Sequence, residues 1–236
     1  MMDRELGYSY ESQAFSAGVN LYLMEYRDML LETGELSASG YAIKDNVDRS
    51  YRRGVEFSAA WKPLGGLSLG GNLTLSTNKI KDFIKYYEVY DNLDNWTYLG
   101  QQTEVFSKVT MLMSPSVTSA AMAEWAPLQN AACKALRGTK LALSGKYVGK
   151  QYWDNTQSAD RCIPSYFVSD ASLVFTLPLR TGSLGCGLYV NNLLGREYYA
   201  DAWVYRAYFQ EDGWYQEEGV FPQAKRNFIV KLSYSF

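Results

Sequence analysis

The chain has 236 residues, 47% of them hydrophobic, and a net charge of −2 at pH 7. That length and apolar content support a large folded unit rather than disorder, and the near-neutral charge excludes a non-specific nucleic-acid binder. There is no histidine, so no Ser-His-Asp or Cys-His nucleophile and no His-based metal site can be assembled.

The first residues, Met1-Met2-Asp3-Arg4-Glu5-Leu6, lack the apolar core of a signal peptide, and no run of about 18 apolar residues offers a transmembrane helix. The expectation is either a soluble protein or the rear part of something longer. About nine strands follow and no helix, by alternation and turn signals. The first is Leu6–Glu11. In Phe15–Tyr26, Phe15, Ala17, Val19, Leu21 and Leu23 oppose Ser16, Gly18, Asn20 and Tyr22. In Arg53–Trp61, Val55, Phe57 and Ala59 oppose Glu56 and Ser58, and in Leu67–Asn78, Leu69, Leu73 and Leu75 oppose Ser68, Asn72 and Thr74. Met111–Trp125 alternates too, but Pro115 cannot donate to a ladder and predicts a bulge or break. Leu141–Tyr152, Phe167–Leu177 and Leu184–Leu194 repeat the pattern. The last strand, Phe228–Phe236, keeps its apolar face to the final residue.

Each strand therefore has one oily and one wet face. An antiparallel sandwich and a membrane barrel both produce that pattern. Length favours the barrel, because soluble strands average about 5–6 residues and tilted bilayer spans need about 9–11. The connections favour it as well. Ser12–Ala14, Lys62–Gly66 and Pro178–Ser183 are short, whereas Arg27–Arg52, Lys79–Thr110, Trp153–Tyr166 and Gly195–Asn227 are long. Only Ala126–Lys140 is intermediate. Barrels place short turns on the periplasmic side and long loops outside. Trp61 and Trp125 then flank the periplasmic rim, and Tyr26, Tyr152, Trp153 and Phe167 the outer one. Cys133, Cys162 and Cys186 form no CxxC pair, and this topology separates Cys133 from Cys162 across the membrane.

Three segments carry a family resemblance. They are Gly145-Lys146-Tyr147-Val148-Gly149-Lys150-Gln151-Tyr152-Trp153-Asp154-Asn155-Thr156, then Val190-Asn191-Asn192-Leu193-Leu194-Gly195-Arg196-Glu197-Tyr198-Tyr199, then Phe221-Pro222-Gln223-Ala224-Lys225-Arg226-Asn227-Phe228 running on to Phe236. Together they resemble the C-terminal barrel portion of a TonB-dependent outer-membrane receptor of the Bacteroidetes type, over essentially all of residues 1–236. The resemblance implies an all-β fold: an antiparallel up-and-down transmembrane β-barrel segment, about nine long strands of a roughly 22-stranded barrel, with the plug domain and earlier strands absent. It implies a bacterial outer-membrane location, surrounding lipid, and no enzyme activity or cofactor. It also implies TonB as a partner through the missing plug, barrel-assembly machinery reading Phe236, and a further chain if the receptor is split. The implied function is uptake of a scarce solute such as a ferric siderophore, haem or cobalamin.

Substrate would be met in the long loops. The candidate binding residues there are Tyr86, Tyr87, Tyr90, Trp96, Trp153, Trp203, Tyr205 and Trp214, although loop aromatics also brace neighbouring loops without any ligand. Asp91–Asn95 has some likeness to a calcium loop but lacks the Gly and distal Glu. Lys146, Lys150, Glu56 and Asp170 are expected to face the lumen and pair with one another. Asn191, Asn192, Arg226 and Asn227 are expected to build the outer rim. Two other classes stay open at this stage: a soluble β-sandwich carbohydrate-binding module, and a hydrolase working with two carboxylates.

Overall fold

Alternation fixes which side chains share a face, but only strand register decides whether those faces join across a sheet. In the computed structural model, which describes residues 1–37, 39–133 and 136–236, they join without interruption. The strands are β1 (Met2–Glu11), β2 (Phe15–Leu36), β3 (Ala42–Leu64), β4 (Leu67–Tyr90), β5 (Tyr98–Thr110), β6 (Val117–Trp125), β7 (Lys140–Val148), β8 (Gln151–Tyr152), β9 (Cys162–Ile163), β10 (Tyr166–Leu179), β11 (Gly182–Asn191), β12 (Tyr199–Phe209), β13 (Gly213–Pro222) and β14 (Asn227–Ser235). Nine of them form an open arc in the order β1-β2-β3-β4-β6-β7-β10-β11-β14. These are the expected nine.

The register aligns Leu6, Leu21, Val55, Leu75 and Val117 in one row across five strands. Further round, Leu143 faces Ala171 and then Val190 and Phe228. One continuous apolar surface results, and it stays uncovered: Leu6, Tyr8, Val230 and Leu232 are 71%, 71%, 68% and 72% exposed. A sandwich would bury these residues against a second sheet, so that alternative fails. The opposite face carries Asn20, Glu56, Ser58, Asn72 and Thr74. Trp61 and Trp125, both about half exposed, stand beside the turn side as an interfacial anchor would.

Three of the four long connections are largely strand, and only Trp153–Tyr166 stays mostly irregular. β2 and β3 run on to Leu36 and from Ala42, β4 runs to Tyr90, and β5, β12 and β13 occupy stretches read as irregular. At about 3.4 Å per residue the 24 residues of β4 reach roughly 80 Å, far beyond a bilayer span. The upper halves of these strands are hairpins standing above the membrane. Sequence alternation misses them because both of their faces are mixed. Met111–Ser116, where Pro115 sits, is irregular, so β6 begins only at Val117. β7 ends at Val148, and Gln151–Tyr152 pairs instead with Cys162–Ile163. Residues 134–135, within the Ala126–Lys140 connection, lie outside the described residues.

The hairpins pack inward on one another. Leu31 and Val47 of β2–β3 meet Ile80, Phe83, Phe106, Val109 and Met111 of the β4–β5 region in one apolar cluster. The segment Asp154–Gln157 fastens the two hairpins. Asn155, fully buried, accepts from Leu112 N at 2.8 Å and donates to Glu32 O at 2.8 Å. Gln157 Oε1 accepts from Lys79 Nζ at 2.8 Å and from Thr110 N at 2.9 Å. Gly34, at φ +90°, lies so close to Trp153 O and Asp154 that a Cβ there would collide with backbone. At the rim, Asn192 bonds Arg196 O and Ala224 O, Asn191 bonds Asn227, and Arg226 Nε donates to Leu193 O, which is the rim-building role expected of them. The lumenal charges behave otherwise than expected. Asp170 accepts from Asn192 N, Glu56 from Asn20, and Lys150 lies 4.8 Å from the centre of the Tyr152 ring, so they bond to neutral groups rather than to one another.

Candidate functional site

β4 pairs with β3 as far as Ile80 and with the parallel strand β12 from Glu88 to Tyr90, while β5 occupies its other edge. Between those limits the edge of β4 pairs with no strand among the described residues and borders a cleft of about 970 Å³. That volume is near the upper end for small-molecule sites. The cleft separates the β2–β3 hairpin from the β12–β13 hairpin, on the side away from the short turns. Tyr86, Tyr90, Trp203 and Tyr205 all line it, so half of the expected binding aromatics converge on one place. Tyr86 is half exposed. Gly219 stands opposite Trp203 on β13, and an added Cβ there would run into the indole.

Charged groups that no spacing rule anticipated complete the lining: Glu35, Lys44, Asp45, Lys85, Glu88 and Arg206. They come from β2, β3, β4 and β12, more than a hundred residues apart at the extremes, which is why the sequence carries no local signal for them. Glu88 Oε2 accepts from the hydroxyls of Tyr90 at 2.8 Å and Tyr205 at 3.0 Å. Burial above all pushes both phenols above their ordinary range, and the Glu88 carboxylate adds to the rise. They remain neutral donors at any physiological pH.

Lys85, only 2% exposed, lies 3.1 Å from Glu35 and 3.6 Å from Asp154. Asp154 is fully buried and is satisfied by Arg161 Nε at 2.9 Å and by Thr156 N and Oγ1. Burial raises the Glu35 carboxyl above the usual carboxylate range, against the opposing pull of Lys85. The Arg206 guanidinium lies 4.4 Å from the Trp214 ring centre and 5.5 Å from that of Tyr87, close enough for cation–π attraction.

The other candidate residues are placed differently. Tyr87 is 1% exposed and packs edge-on against Trp214 at 4.9 Å, beneath the cleft. Trp96 packs on Tyr90 and Phe209. Trp153, expected near the outer interface, is buried with Ile163, Ala202 and Val204, because it leads directly into the fastening segment Asp154–Gln157. Asp91 and Asn92 spend their side-chain oxygens on the N–H groups of Asn92, Thr97 and Asn95, as a turn does. Cys133, Cys162 and Cys186 are free thiols.

Residues 4–193 match the family model described as TonB dependent receptor-like, beta-barrel. No curated protein matches. Among solved structures the chain is similar to the siderophore receptor PiuA from Acinetobacter baumannii, at 12% identity and a TM-score of 0.62, over 99% of this chain and 28% of that one. It is also similar to the ferric yersiniabactin uptake receptor FyuA from Yersinia pestis (16%, TM-score 0.63, 97% and 28%). A third is BauA, the ferric preacinetobactin receptor from Acinetobacter baumannii (18%, TM-score 0.62, 99% and 29%). The chain thus spans less than a third of the length of each.

Proposed function

Because this chain belongs to the TonB-dependent receptor β-barrel family, an outer-membrane family of receptors rather than enzymes, we propose that it forms the C-terminal part of an uptake receptor. In this reading its cleft takes part in capturing an iron-carrying chelate, haem or cobalamin. The observation that carries the reading is the convergence of Tyr86, Tyr90, Trp203 and Tyr205 with Glu88, Lys85 and Arg206 along the unpaired edge of β4. Aromatic faces accept planar ligand surfaces, and neutral phenols with fixed cations orient polar groups. Lys85 is already held by Glu35 and Asp154, so Arg206, which has no ion-pair partner among the described residues, is the cation left to meet an anionic group of the ligand.

The partners follow from the same reading. The plug that meets TonB, and the strands that close the free edges of β1 and β14, are supplied from outside these residues, by the same polypeptide or by a second one. Phe236, fully exposed at the end of the apolar face, is the group presented to barrel-assembly machinery.

The test is a titration of the full chain in detergent with a ferric catecholate, a ferric hydroxamate, haem and cobalamin, read by tryptophan fluorescence. One of the four should quench saturably, and Trp203→Phe should remove most of that quench. If none of the four quenches, or if Trp203→Phe and Tyr205→Phe both bind like the parent, the cleft is not the capture site.

A further inference from the structure

The outer surface just above the apolar belt carries a charge pattern that solute capture does not use. Arg27 pairs with Arg49, and the same register, continued by one residue, brings Lys81 and Lys108 level with them on β4 and β5. One residue further on, the same four strands carry Asp28, Asp48, Asp82 and Ser107. All eight residues are exposed.

Two successive outward residues on each of four strands break the strict alternation. Burial passes from Ser50, Ile80 and Val109 to Val47 and Phe83, three residues along each strand where two would keep the parity. Asp28 and Lys108 take left-handed backbone conformations, with φ of 53° and 55°. Non-glycine residues rarely adopt these, and here they mark the corner at which the hairpins turn inward. The bend therefore holds the basic row outward, on the side of the sheet that meets the bilayer.

Height identifies what that row meets. Leu23 and Arg53 are paired at the top of the apolar belt. Arg27 and Arg49 stand four residues higher, about 14 Å along the strand and about 10 Å up at a tilt of roughly 45°. That is the level of lipid head groups. Among the described residues Arg27, Lys81 and Lys108 have no ion-pair partner. Arg53 rests 5.1 Å from the centre of the Tyr51 ring, and Arg49 lies 3.8 Å from Asp48. The aspartates face the aqueous side of the row, and Glu25 is the acid below it on β2.

We propose that Arg27, Arg49, Lys81 and Lys108, with Arg53 below them, bind the phosphate groups of anionic lipids in the outer leaflet. The acyl chains of those lipids would lie along the Leu21–Val55–Leu75 row. Charge complementarity and continuity with the apolar belt select this occupant. The site needs only the bilayer orientation of the strands and is independent of what the cleft captures.

The test uses the full chain in non-ionic detergent micelles. Dioctanoyl phosphatidic acid is the probe, with dioctanoyl phosphatidylcholine and inorganic phosphate as comparisons. Cations near a lipid surface contribute about fivefold each, so Arg27→Gln/Arg49→Gln/Lys81→Gln should weaken phosphatidic acid binding on the order of 100-fold. The single variant Arg27→Gln, which needs no tolerance of three changes, should weaken it about fivefold. Arg27→Lys/Arg49→Lys should keep most of the affinity, and phosphatidylcholine should bind far more weakly than phosphatidic acid. The proposal is overturned if the triple and single variants bind phosphatidic acid like the parent. It is also overturned if inorganic phosphate displaces the lipid at equal concentration, which would mark a simple anion site.

Discussion

Glu35 illustrates how a salt bridge drawn from distances can mislead at the scale of one residue. Its carboxylate lies 3.1 Å from Lys85, yet desolvation outweighs that attraction and raises its pKa. A raised acid pKa means that the folded hairpin binds a proton the opened hairpin has already released. The resulting stabilisation is complete below the ordinary carboxylate pKa of about 4.3 and is lost as pH rises through the raised value. Amide exchange at the β2–β3 tip should therefore quicken as pH climbs through that interval, after correction for intrinsic exchange. Glu35→Gln should flatten the dependence, and an unchanged slope in that variant would assign the effect to another group. A second residue-scale expectation concerns Gly219. Gly219→Val must displace the Trp203 indole, so it should change the tryptophan emission and weaken whatever the cleft binds, while leaving β12–β13 pairing intact. A variant with unaltered emission would mean the indole does not lie over that glycine.

At the scale of elements, the fastening segment decides whether the hairpins act as one body. Asn155→Ala would remove the partner of the Leu112 N–H and of the Glu32 carbonyl, both part-buried hydrogen bonds, at a cost of about 1 kcal/mol each. Limited proteolysis should then cut the β2–β3 tip near residues 37–41 faster than in the parent, with the membrane strands still protected. Equal cutting rates would show that the apolar cluster of Val47, Ile80 and Phe83 holds the hairpin alone. This level of organisation was the least legible in the sequence. The nine membrane strands could be read because each repeats with period 2 through the belt, as Val55-Glu56-Phe57-Ser58-Ala59 does. Above the belt, Lys81-Asp82-Phe83-Ile84-Lys85-Tyr86-Tyr87-Glu88 turns two charges outward in succession and then buries alternate residues under another hairpin. No single period survives there. The aromatic density did point to the region of the cleft. It could not separate Tyr86, which lines it, from Tyr87, which lies beneath it, because that depends on where β3 leaves the β4 edge and β12 joins it. Glu35, Lys85 and Asp154 meet only through the fold, and Arg206 reaches Tyr87 and Trp214 in the same way.

At the scale of the whole molecule, the central question is what solvates the apolar face. Phe57 lies level with Val19 and Leu73 in the middle of the belt, and its neighbour Ser58 lies level with Gly18 and Asn72 on the lumenal face. An arginine on the lipid face of a barrel costs about 2–4 kcal/mol at the bilayer midplane and about 0–1 kcal/mol near the interface. A solvated lumenal position should tolerate it to within about 0.5 kcal/mol. Urea unfolding of the full chain from lipid vesicles should therefore rank the variants Phe57→Arg, then Leu23→Arg, then Ser58→Arg, from most to least destabilised. Leu23 is as apolar as Phe57 and shares its face, so hydrophobicity alone would penalise the two alike. Only a bilayer grades the penalty with height along the strand. Equal losses at Phe57 and Leu23 would mean that protein, not lipid, covers this face. The family assignment would then describe the ancestry of the sheet without describing its surroundings.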